Sequence, residues 1–175
     1  MNLAIEGAVE SDAFGLPTVD VPRGSWAAAA RQARDLGYTF FDWLSAVDEL
    51  EAGFRVVLHA ANLTDHQHLL LRTLVPRADP SVDSLAEVFA GAAWHEREAA
   101  EMFGVVFAGH PGLTPLLLPD GFEGHPLRKE FLLAARLEKP WPGAKDPGES
   151  DADLASPRRK RRNTPPGVPD LTGRQ

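Results

Sequence analysis

The chain of 175 residues contains no cysteine. It therefore cannot form a disulfide, a thiolate zinc site, a cysteine nucleophile or a self-contained iron–sulfur site. Long hydrophobic runs are missing as well, because apolar stretches such as 27–30 and 116–118 are far shorter than the roughly 20 residues of a membrane-spanning helix. These absences exclude thiol-based chemistry and predict no transmembrane helix.

Basic residues are scarce in the body of the chain. Residues 1–138 carry 10 basic and 20 acidic side chains, a net charge of −10, whereas residues 139–175 carry 8 and 5, a net charge of +3. An acidic body repels nucleic-acid phosphates and anionic lipid surfaces. The N-terminal sequence MNLAIEGAVESDAFG has acids where an export signal has basic residues, so we expect a cytoplasmic protein.

The hydrophobic pattern predicts a small two-layer α+β domain with a mixed or antiparallel sheet packed by helices. In chain order the predicted elements are a helix over 26–36, strands over 38–47, 54–61 and 66–75, a helix over 81–92 that carries Leu85, Val88, Phe89 and Ala92 on one side, and a helical piece over 94–103. Ser25 is the expected N-cap of the first helix and Gly37 its end. Ser81 or Asp83 caps the second helix, and Gly104 is the expected left-handed C-cap of the third.

Glycine and proline divide the chain into three parts. Residues 1–24 are interrupted by both and are expected to form an arm, either ordered or loose. Residues 25–138 form the domain, and within it residues 104–131, the Gly/Pro segment, contain five Gly and four Pro. That density favours an irregular but specific loop. Residues 139–175 contain seven Pro, and we expect an extended tail.

A cluster of charges at the start of the third helical piece is the first candidate for chemistry. The sequence HEREA (95–99) fails as a helical zinc-protease motif, because Ala99 stands where the second His is needed. Glu98 and Glu101 lie three residues apart on one helix face and are candidates for an acid–base pair. Arg97 lies four residues before Glu101, which favours instead a salt-linked helix surface.

Three histidines in the predicted hairpin are candidates for a metal site. If the hairpin turns at residues 63–64, His59 and His68 become cross-strand neighbours, and His66 shares the face of His68. Three imidazoles would then approach one zinc ion. The alternative is that they occupy exposed polar positions of a sheet and bind no metal.

A short repeat within the Gly/Pro segment contains two more histidines. FAGHP at 107–111 is followed fifteen residues later by FEGHP at 122–126. Gly before and Pro after each His fix the backbone, which suits a binding loop and a hydrogen-bonded turn equally.

Other motifs for recognition or catalysis are weak or absent. The run RRKRR at 158–162 lacks interleaved aromatic residues and follows an acidic stretch, so we expect a solvated tail or a contact with an acidic partner rather than nucleic-acid binding. The chain has no phosphate-binding loop, no GxGxxG after a strand and no GxSxG motif. Taken alone, the residues name no catalytic group and no cofactor ligand.

The stretch WHEREAAEMFGVVFAGHPGLTPLLLPDGFEGHPLRKEF (94–131) resembles the signature region of the hydrophilic C subunit of bacterial NADH-quinone oxidoreductase, in the respiratory complex I family. The family pattern has a Glu-Arg-Glu triplet, an acid before an aromatic–Gly turn, and two Gly-His-Pro elements. The matching residues, expected at a subunit interface, are Glu96, Arg97, Glu98, Glu101, Phe103, Gly104, Gly109, His110, Pro111, Gly121, Phe122, Gly124, His125, Pro126, Arg128 and Lys129. The chain departs from the pattern at Ala100 and Glu101, where the family usually has Tyr-Asp, and at Thr114 and Pro115, where it commonly has two Arg.

The resemblance implies a subunit without a redox centre in the cytoplasmic arm of a proton-translocating enzyme, on the cytoplasmic side of the cell membrane. FMN, iron–sulfur clusters and quinone would be bound by other subunits, and the quinone-site and iron–sulfur subunits would be the partners. The isolated chain would bind no cofactor and have no catalytic activity. Two alternatives stay open: the equivalent subunit of a membrane-bound hydrogenase, and a His-ligated metal-binding protein.

On this interpretation the Gly/Pro segment offers a fixed shape to a partner. Its expected apolar anchors are Phe107, Leu113, Leu116, Leu117, Phe122 and Leu127, and its expected charged contacts are Arg128, Lys129 and Glu130.

Overall fold

The computed structural model describes residues 4–132 of the chain. In chain order its elements are β1 (Val9–Ala13), β2 (Leu16–Asp20), α1 (Trp26–Asp35), β3 (Phe40–Asp48), β4 (Phe54–Asn62), β5 (Gln67–Val75), β6 (Ser81–Asp83), α2 (Ala92–Phe103) and β7 (Val106–Ala108). The predicted α+β class is confirmed. None of the helices in the described range has the length and apolar character that crossing a bilayer requires.

Five strands form one mixed sheet in the order β1-β2-β5-β4-β3. Strands β3, β4 and β5 make an antiparallel meander, and β2 pairs in parallel with β5. The predicted strands over 38–47, 54–61 and 66–75 are therefore confirmed, with ends that shift by two residues or fewer. Their alternation places one side of the sheet in the core, and its buried residues include Leu44, Phe54, Val56, Leu58, Leu69 and Leu71.

Helix α1 packs against this sheet through small side chains. Ala29, Ala30 and Ala33 are buried with the indole of Trp26, so the helix backbone approaches the sheet closely. Gly37, with φ of 98°, follows the helix end as predicted. Ser25 occupies the N-cap position, but its side chain makes no capping hydrogen bond.

The described part of residues 1–24 belongs to the sheet. Strands β1 and β2 form a hairpin whose turn is closed by the Gly15 N–H donating to Asp12 Oδ1 at 2.8 Å. Asp20 at the end of β2 pairs with Arg55 at 2.9 Å and also with Arg72. Of the two alternatives for the arm, ordered or loose, the structure shows the ordered one from Ala4 onward.

The helix predicted over 81–92 is wrong. Residues 81–83 form β6, which pairs in parallel with β7, and turns cover most of the stretch before α2 starts at Ala92. The apolar positions expected on one helix side, Leu85, Val88, Phe89 and Ala92, are all buried. Their spacing reflects burial in the core, which the turns achieve without a continuous helix.

The Gly/Pro segment begins with strand β7 and continues through turns and bends to the end of the described range. The sequence pattern does not predict β7, because three residues are too few to show the periodicity of a strand. The tail predicted for 139–175, including the run at 158–162, lies outside the described residues.

Candidate partner-binding site

Helix α2 is the element from which most of the signature residues project. Residues three or four positions apart form its buried side: Ala92, Glu96, Ala99 and Phe103. Gly104 ends the helix in the left-handed conformation, with φ of 75°, and its N–H donates to the carbonyl of Ala100 at 2.9 Å. The predicted C-cap is therefore confirmed.

Glu96 is a carboxyl within the core, with 0% of its surface exposed. Its Oε2 accepts a hydrogen bond from Ser84 Oγ at 2.6 Å, and its Oε1 accepts one from the Leu85 N–H at 2.6 Å. Burial raises the pKa of Glu96 above its ordinary value, although these two hydrogen bonds and His110 act in the opposite direction. Glu96 therefore points into the domain and connects α2 to the residues after β6.

Arg97 and Glu101, one turn apart on α2, bind the main chain of the Gly/Pro segment. Arg97 donates from Nε to the carbonyl of Thr114 at 2.9 Å and from Nη2 to that of Pro115 at 2.7 Å. The Glu101 carboxylate accepts the three successive N–H groups of residues 116–118, at 2.6, 2.8 and 3.4 Å. The departures at 114 and 115 do not affect these contacts, because carbonyl oxygens rather than side chains make them.

The salt-linked helix surface predicted from Arg97 and Glu101 is wrong. Within residues 4–132, no ion pair joins Arg97 to Glu98 or to Glu101. Each charge is instead satisfied by backbone groups of opposite polarity, which are fixed in position and give stronger hydrogen bonds than neutral donors or acceptors would. The oxygens of Glu101 are occupied by these bonds, which does not support its use as half of an acid–base pair.

Glu98 differs from the other two members of the Glu-Arg-Glu triplet. It is half-buried, and its side chain has no hydrogen bond or ion pair within the described part of the chain. Trp94, one turn earlier on α2, is 66% exposed, and the Arg97 guanidinium carbon lies 6.0 Å from the centre of its ring. The triplet thus points in three directions: into the core, toward the Gly/Pro segment and outward.

The two Gly-His-Pro elements contact opposite ends of α2. His110 donates from Nε2 to the carbonyl of Ala93 at 2.9 Å, in the first turn, and accepts the Gly112 N–H at Nδ1 at 2.8 Å. His125 donates from Nδ1 to the carbonyl of Glu101 at 2.8 Å, in the last turn, where helix carbonyls lack an intrahelical partner. Of the two interpretations of the repeat, the structure shows the hydrogen-bonded turn at both places.

Arg128 closes the second Gly-His-Pro element against the end of α2. Its Nε donates to the carbonyl of Phe103 at 2.7 Å, and its guanidinium carbon lies 5.1 Å from the centre of the Phe54 ring. A Cβ added at Gly104 would collide with the side chains of Arg128 and His125. Glycine is therefore required at 104 both for its positive φ and for this close approach.

Asp48, at the end of β3, fixes the end of the Gly/Pro segment to the sheet. Its side chain accepts the N–H groups of Leu50 at 2.8 Å and Lys129 at 2.9 Å, and it pairs with Arg77, which also binds Glu130 at 3.0 Å. Burial raises the pKa of Asp48, but the two N–H groups and the charges of Arg77 and Lys129 outweigh burial, and the net pKa lies below the ordinary value. Sequence reasoning missed Asp48, since a lone Asp in a strand carries no signal for a main-chain contact 81 residues away.

The remaining signature residues shape the turns of the segment. Gly109, Gly121 and Gly124 all have positive φ, at 80°, 76° and 95°, a conformation that favours glycine. The ring of Phe122 stacks on that of Phe131 with centroids 6.1 Å apart, and a Cβ at Gly124 would lie 2.9 Å from the Phe131 ring. The glycines therefore let the chain turn and let the two rings pack.

The residues expected as partner anchors divide into two groups. Phe107 is only 2% exposed and belongs to the core, so it is not available as an anchor. Leu116 and Phe122 are half-buried. Leu113, Leu117 and Leu127 are exposed, at 40%, 59% and 53%. The expected charged contacts also changed, because Arg128, the Lys129 N–H and Glu130 bind the domain itself.

The histidine candidates do not assemble as expected. The turn of the hairpin contains four residues, 63–66, so His59 lies opposite Leu70 rather than His68, and His66 lies in the turn with φ of 53°. His59 Nε2 nevertheless lies 3.2 Å from His68 Nδ1 by a diagonal contact, and His59 Nδ1 lies 2.8 Å from Asp42 Oδ2. Among residues 4–132, no group of three or more His, Asp or Glu has a geometry that would hold a metal ion.

These features define a small α+β domain whose helix α2 fixes a projecting Gly/Pro segment mainly by side-chain contacts to main-chain groups. The family described as "Respiratory-chain NADH dehydrogenase, 30 Kd subunit" matches residues 19–137, and the chain belongs to this family. The resemblance drawn from residues 94–131 is thereby confirmed.

Sequence relatives carry the name of the same respiratory component, the C subunit of NADH-quinone oxidoreductase. The chain is 44% identical over 107 residues to that of Roseiflexus castenholzii, covering 60% of this chain and 62% of the relative. It is 41% identical over 105 residues to that of Herpetosiphon aurantiacus, covering 59% and 61%. It is 35% identical over 150 residues to that of Bordetella petrii, covering 73% and 72%. The match spans less than two thirds of the length of the first two relatives.

Two solved structures share the fold. A trypsin-resistant fragment, 1–134, of Nqo5 matches with a TM-score of 0.57 and 26% identity, over 61% of this chain and 90% of the fragment. A chain of the membrane-bound sulfane sulfur reductase, an archaeal respiratory membrane complex, matches with a TM-score of 0.64 over 83% of this chain and 89% of that chain. At 20% identity, the second match shows the fold alone.

Proposed function

We propose that this chain is a non-redox structural subunit in the cytoplasmic arm of a proton-translocating NADH-quinone oxidoreductase, where it supports electron transfer from NADH to quinone. The use made of the signature side chains carries the proposal. Glu96, Arg97, Glu101, His110 and His125 all bind the chain's own hydroxyl or main-chain groups. Side chains used in this way fix the shape of a binding segment before a partner arrives, which lowers the entropy cost of association.

The cofactors then belong to the assembly rather than to this chain. A chain without cysteine supplies no thiolate to an iron–sulfur cluster. FMN, the clusters and quinone are bound by other subunits, and the chain reaches the cytoplasmic side of the membrane through its partners. Those partners are the quinone-site and iron–sulfur subunits, and the isolated chain has no catalytic activity of its own.

Affinity purification of the tagged full-length chain from solubilised membranes of its source bacterium tests this proposal. We expect quinone-site and iron–sulfur subunits in equal amounts with the tagged chain, and NADH-dependent quinone reduction by the purified assembly but not by the isolated chain. Recovery of the chain without those subunits, or quinone reduction by the chain alone, would contradict the proposal.

The two alternatives are resolved by the same sample. The equivalent subunit of a membrane-bound hydrogenase would purify with hydrogen-activating subunits and without NADH-oxidising ones. A His-ligated metal-binding protein would contain stoichiometric zinc as an isolated chain and lose it in His59→Ala and His68→Ala. The contact of 3.2 Å between these two imidazoles is the observation that keeps the second alternative worth measuring.

A further inference from the structure

We infer that Trp94, Glu98, Leu113 and Leu117 form a docking surface, the Trp94 surface, for a partner subunit that presents an Arg or Lys side chain within an apolar patch. The inference rests on the proposed function and names the part of the chain that binds.

The four residues surround the Arg97 and Glu101 contacts. Arg97 lies against the Trp94 ring and donates to the carbonyl of residue 114, which places the neighbouring Leu113 beside the helix. Glu98 and Glu101 are three residues apart on one helix face, and Glu101 accepts the Leu117 N–H at 2.8 Å. Aromatic and leucine side chains therefore lie around an outward-facing carboxylate.

The Trp94 surface is exposed but fixed in shape. Trp94 and Leu117 are the most exposed of its apolar members, although the backbone under them is bound by five hydrogen bonds from Arg97 and Glu101. Tryptophan surrounded by aliphatic side chains is the typical composition of an interface hot spot. A surface that is already ordered loses little conformational entropy when a partner covers it.

Glu98 determines the chemistry of the partner. Among the charged residues of the helix α2 signature, Glu96, Arg97 and Glu101 have partners within the domain, whereas Glu98 has none in the described range. A partner that covered this half-buried carboxylate without a positive charge would leave it unpaired, which is costly. A basic side chain would pair with it in surroundings of reduced dielectric constant, where the pair is stronger than in water.

The test uses the tagged full-length chain in cells that assemble the complex. Glu98→Gln and Trp94→Ala remove the charge and the ring, and Glu51→Gln and Phe14→Ala are the matched controls, because both control residues are exposed and lie far along the chain from α2. We expect co-purified partner subunits to fall by about tenfold or more with each test variant and to stay unchanged with each control. The thermal midpoint of the isolated chain should not change with Glu98→Gln, which removes no contact within the described domain.

Photo-crosslinking identifies the occupant. A benzoylphenylalanine at Leu117 should crosslink to a peptide of a co-purified respiratory subunit, and that peptide should contain Arg or Lys. The same probe at Leu63, in the β4–β5 turn, should not crosslink to it. Glu98→Lys should abolish co-purification, and replacing the partner's basic residue by Glu should restore it.

Several outcomes would overturn the inference. If the wild-type chain assembles and both test variants assemble equally well, the surface is wrong while the proposed function stands. Crosslinks from Leu117 to residues 133–175 of this chain would make its own tail the occupant, which also rejects a partner subunit. A wild-type chain that purifies without respiratory subunits rejects the proposed function and this inference together.

Discussion

At the scale of single residues, the signature works mainly through contacts from side chains to main-chain groups. His110, His125, Arg97 and Arg128 donate to carbonyl oxygens, and Glu101 accepts N–H groups. Such contacts depend strongly on the side chain that donates or accepts and weakly on the side chain at the other end. This explains why Thr114 and Pro115 can replace two arginines while the binding of their carbonyls by Arg97 is retained.

Three glycines of the Gly/Pro segment separate the energetic effects of backbone conformation and close approach. Gly112→Ala meets open space without a positive φ, Gly109→Ala meets open space with φ of 80°, and Gly104→Ala meets both a φ of 75° and two side chains. We expect the free energy of unfolding to fall by less than about 0.5 kcal/mol, about 1 kcal/mol and about 2–3 kcal/mol respectively.

Urea unfolding followed by tryptophan fluorescence measures all three variants under identical conditions. Gly112→Ala is the control, because it changes only the residue type. Equal losses for Gly109→Ala and Gly104→Ala would show that the side chains of Arg128 and His125 move aside freely, contrary to their close packing against Gly104.

At the scale of elements, sequence periodicity identifies what packs on a long, regular face. The strands β3, β4 and β5 and helix α1 all have one buried side, and the pattern predicts them nearly to the residue. It does not predict the hairpin β1–β2, since β1 is almost entirely exposed and has no apolar side to reveal it. It predicts a helix over 81–92 because buried turns there have the same apolar spacing.

The candidate site is accessible from sequence in part. The resemblance locates the signature residues, and Gly104 is correctly predicted as a helix end. The roles of Arg97 and Glu101 are not predicted, because a carbonyl or N–H group is present at nearly every residue and leaves no mark in the sequence. Local charge spacing favours an ion pair between them, but the backbone of the Gly/Pro segment competes for both groups and binds them instead.

Hydrogen exchange can measure how strongly α2 fixes the segment. Glu101→Ala removes the acceptor of the N–H groups of residues 116–118, so we expect their exchange in the isolated chain to become about tenfold faster, which corresponds to ~1.4 kcal/mol. Glu98→Ala is a matched control on the same helix, because Glu98 makes no contact with the segment. Unchanged exchange in Glu101→Ala, or equal acceleration in both variants, would contradict the role assigned to Glu101.

At the scale of the whole molecule, the contacts divide the domain into a core and a presented segment. The sheet and helices bury the apolar residues, and the Gly/Pro segment is attached to this core at α2 and at Asp48. Loss of one attachment should therefore change the shape offered to a partner more than the stability of the core. Assembly and catalysis then become separable measurements.

Arg97→Ala separates them. It frees the carbonyls of residues 114 and 115 and removes the cation beside Trp94, so the segment must be ordered again whenever a partner binds. We expect the assembled fraction of the complex to fall by about tenfold, while NADH-dependent turnover per assembled complex stays within about twofold of wild type, since Arg97 touches no reacting group in the proposed function. Arg97→Lys should recover assembly only in part, because an ammonium cannot reproduce the two parallel hydrogen bonds of a guanidinium. Quantitative mass spectrometry of purified membranes gives the assembled fraction, and quinone reduction per flavin gives the turnover. Normal assembly with lost turnover would instead place Arg97 in the reaction itself, and the structural role proposed for the chain would have to be abandoned.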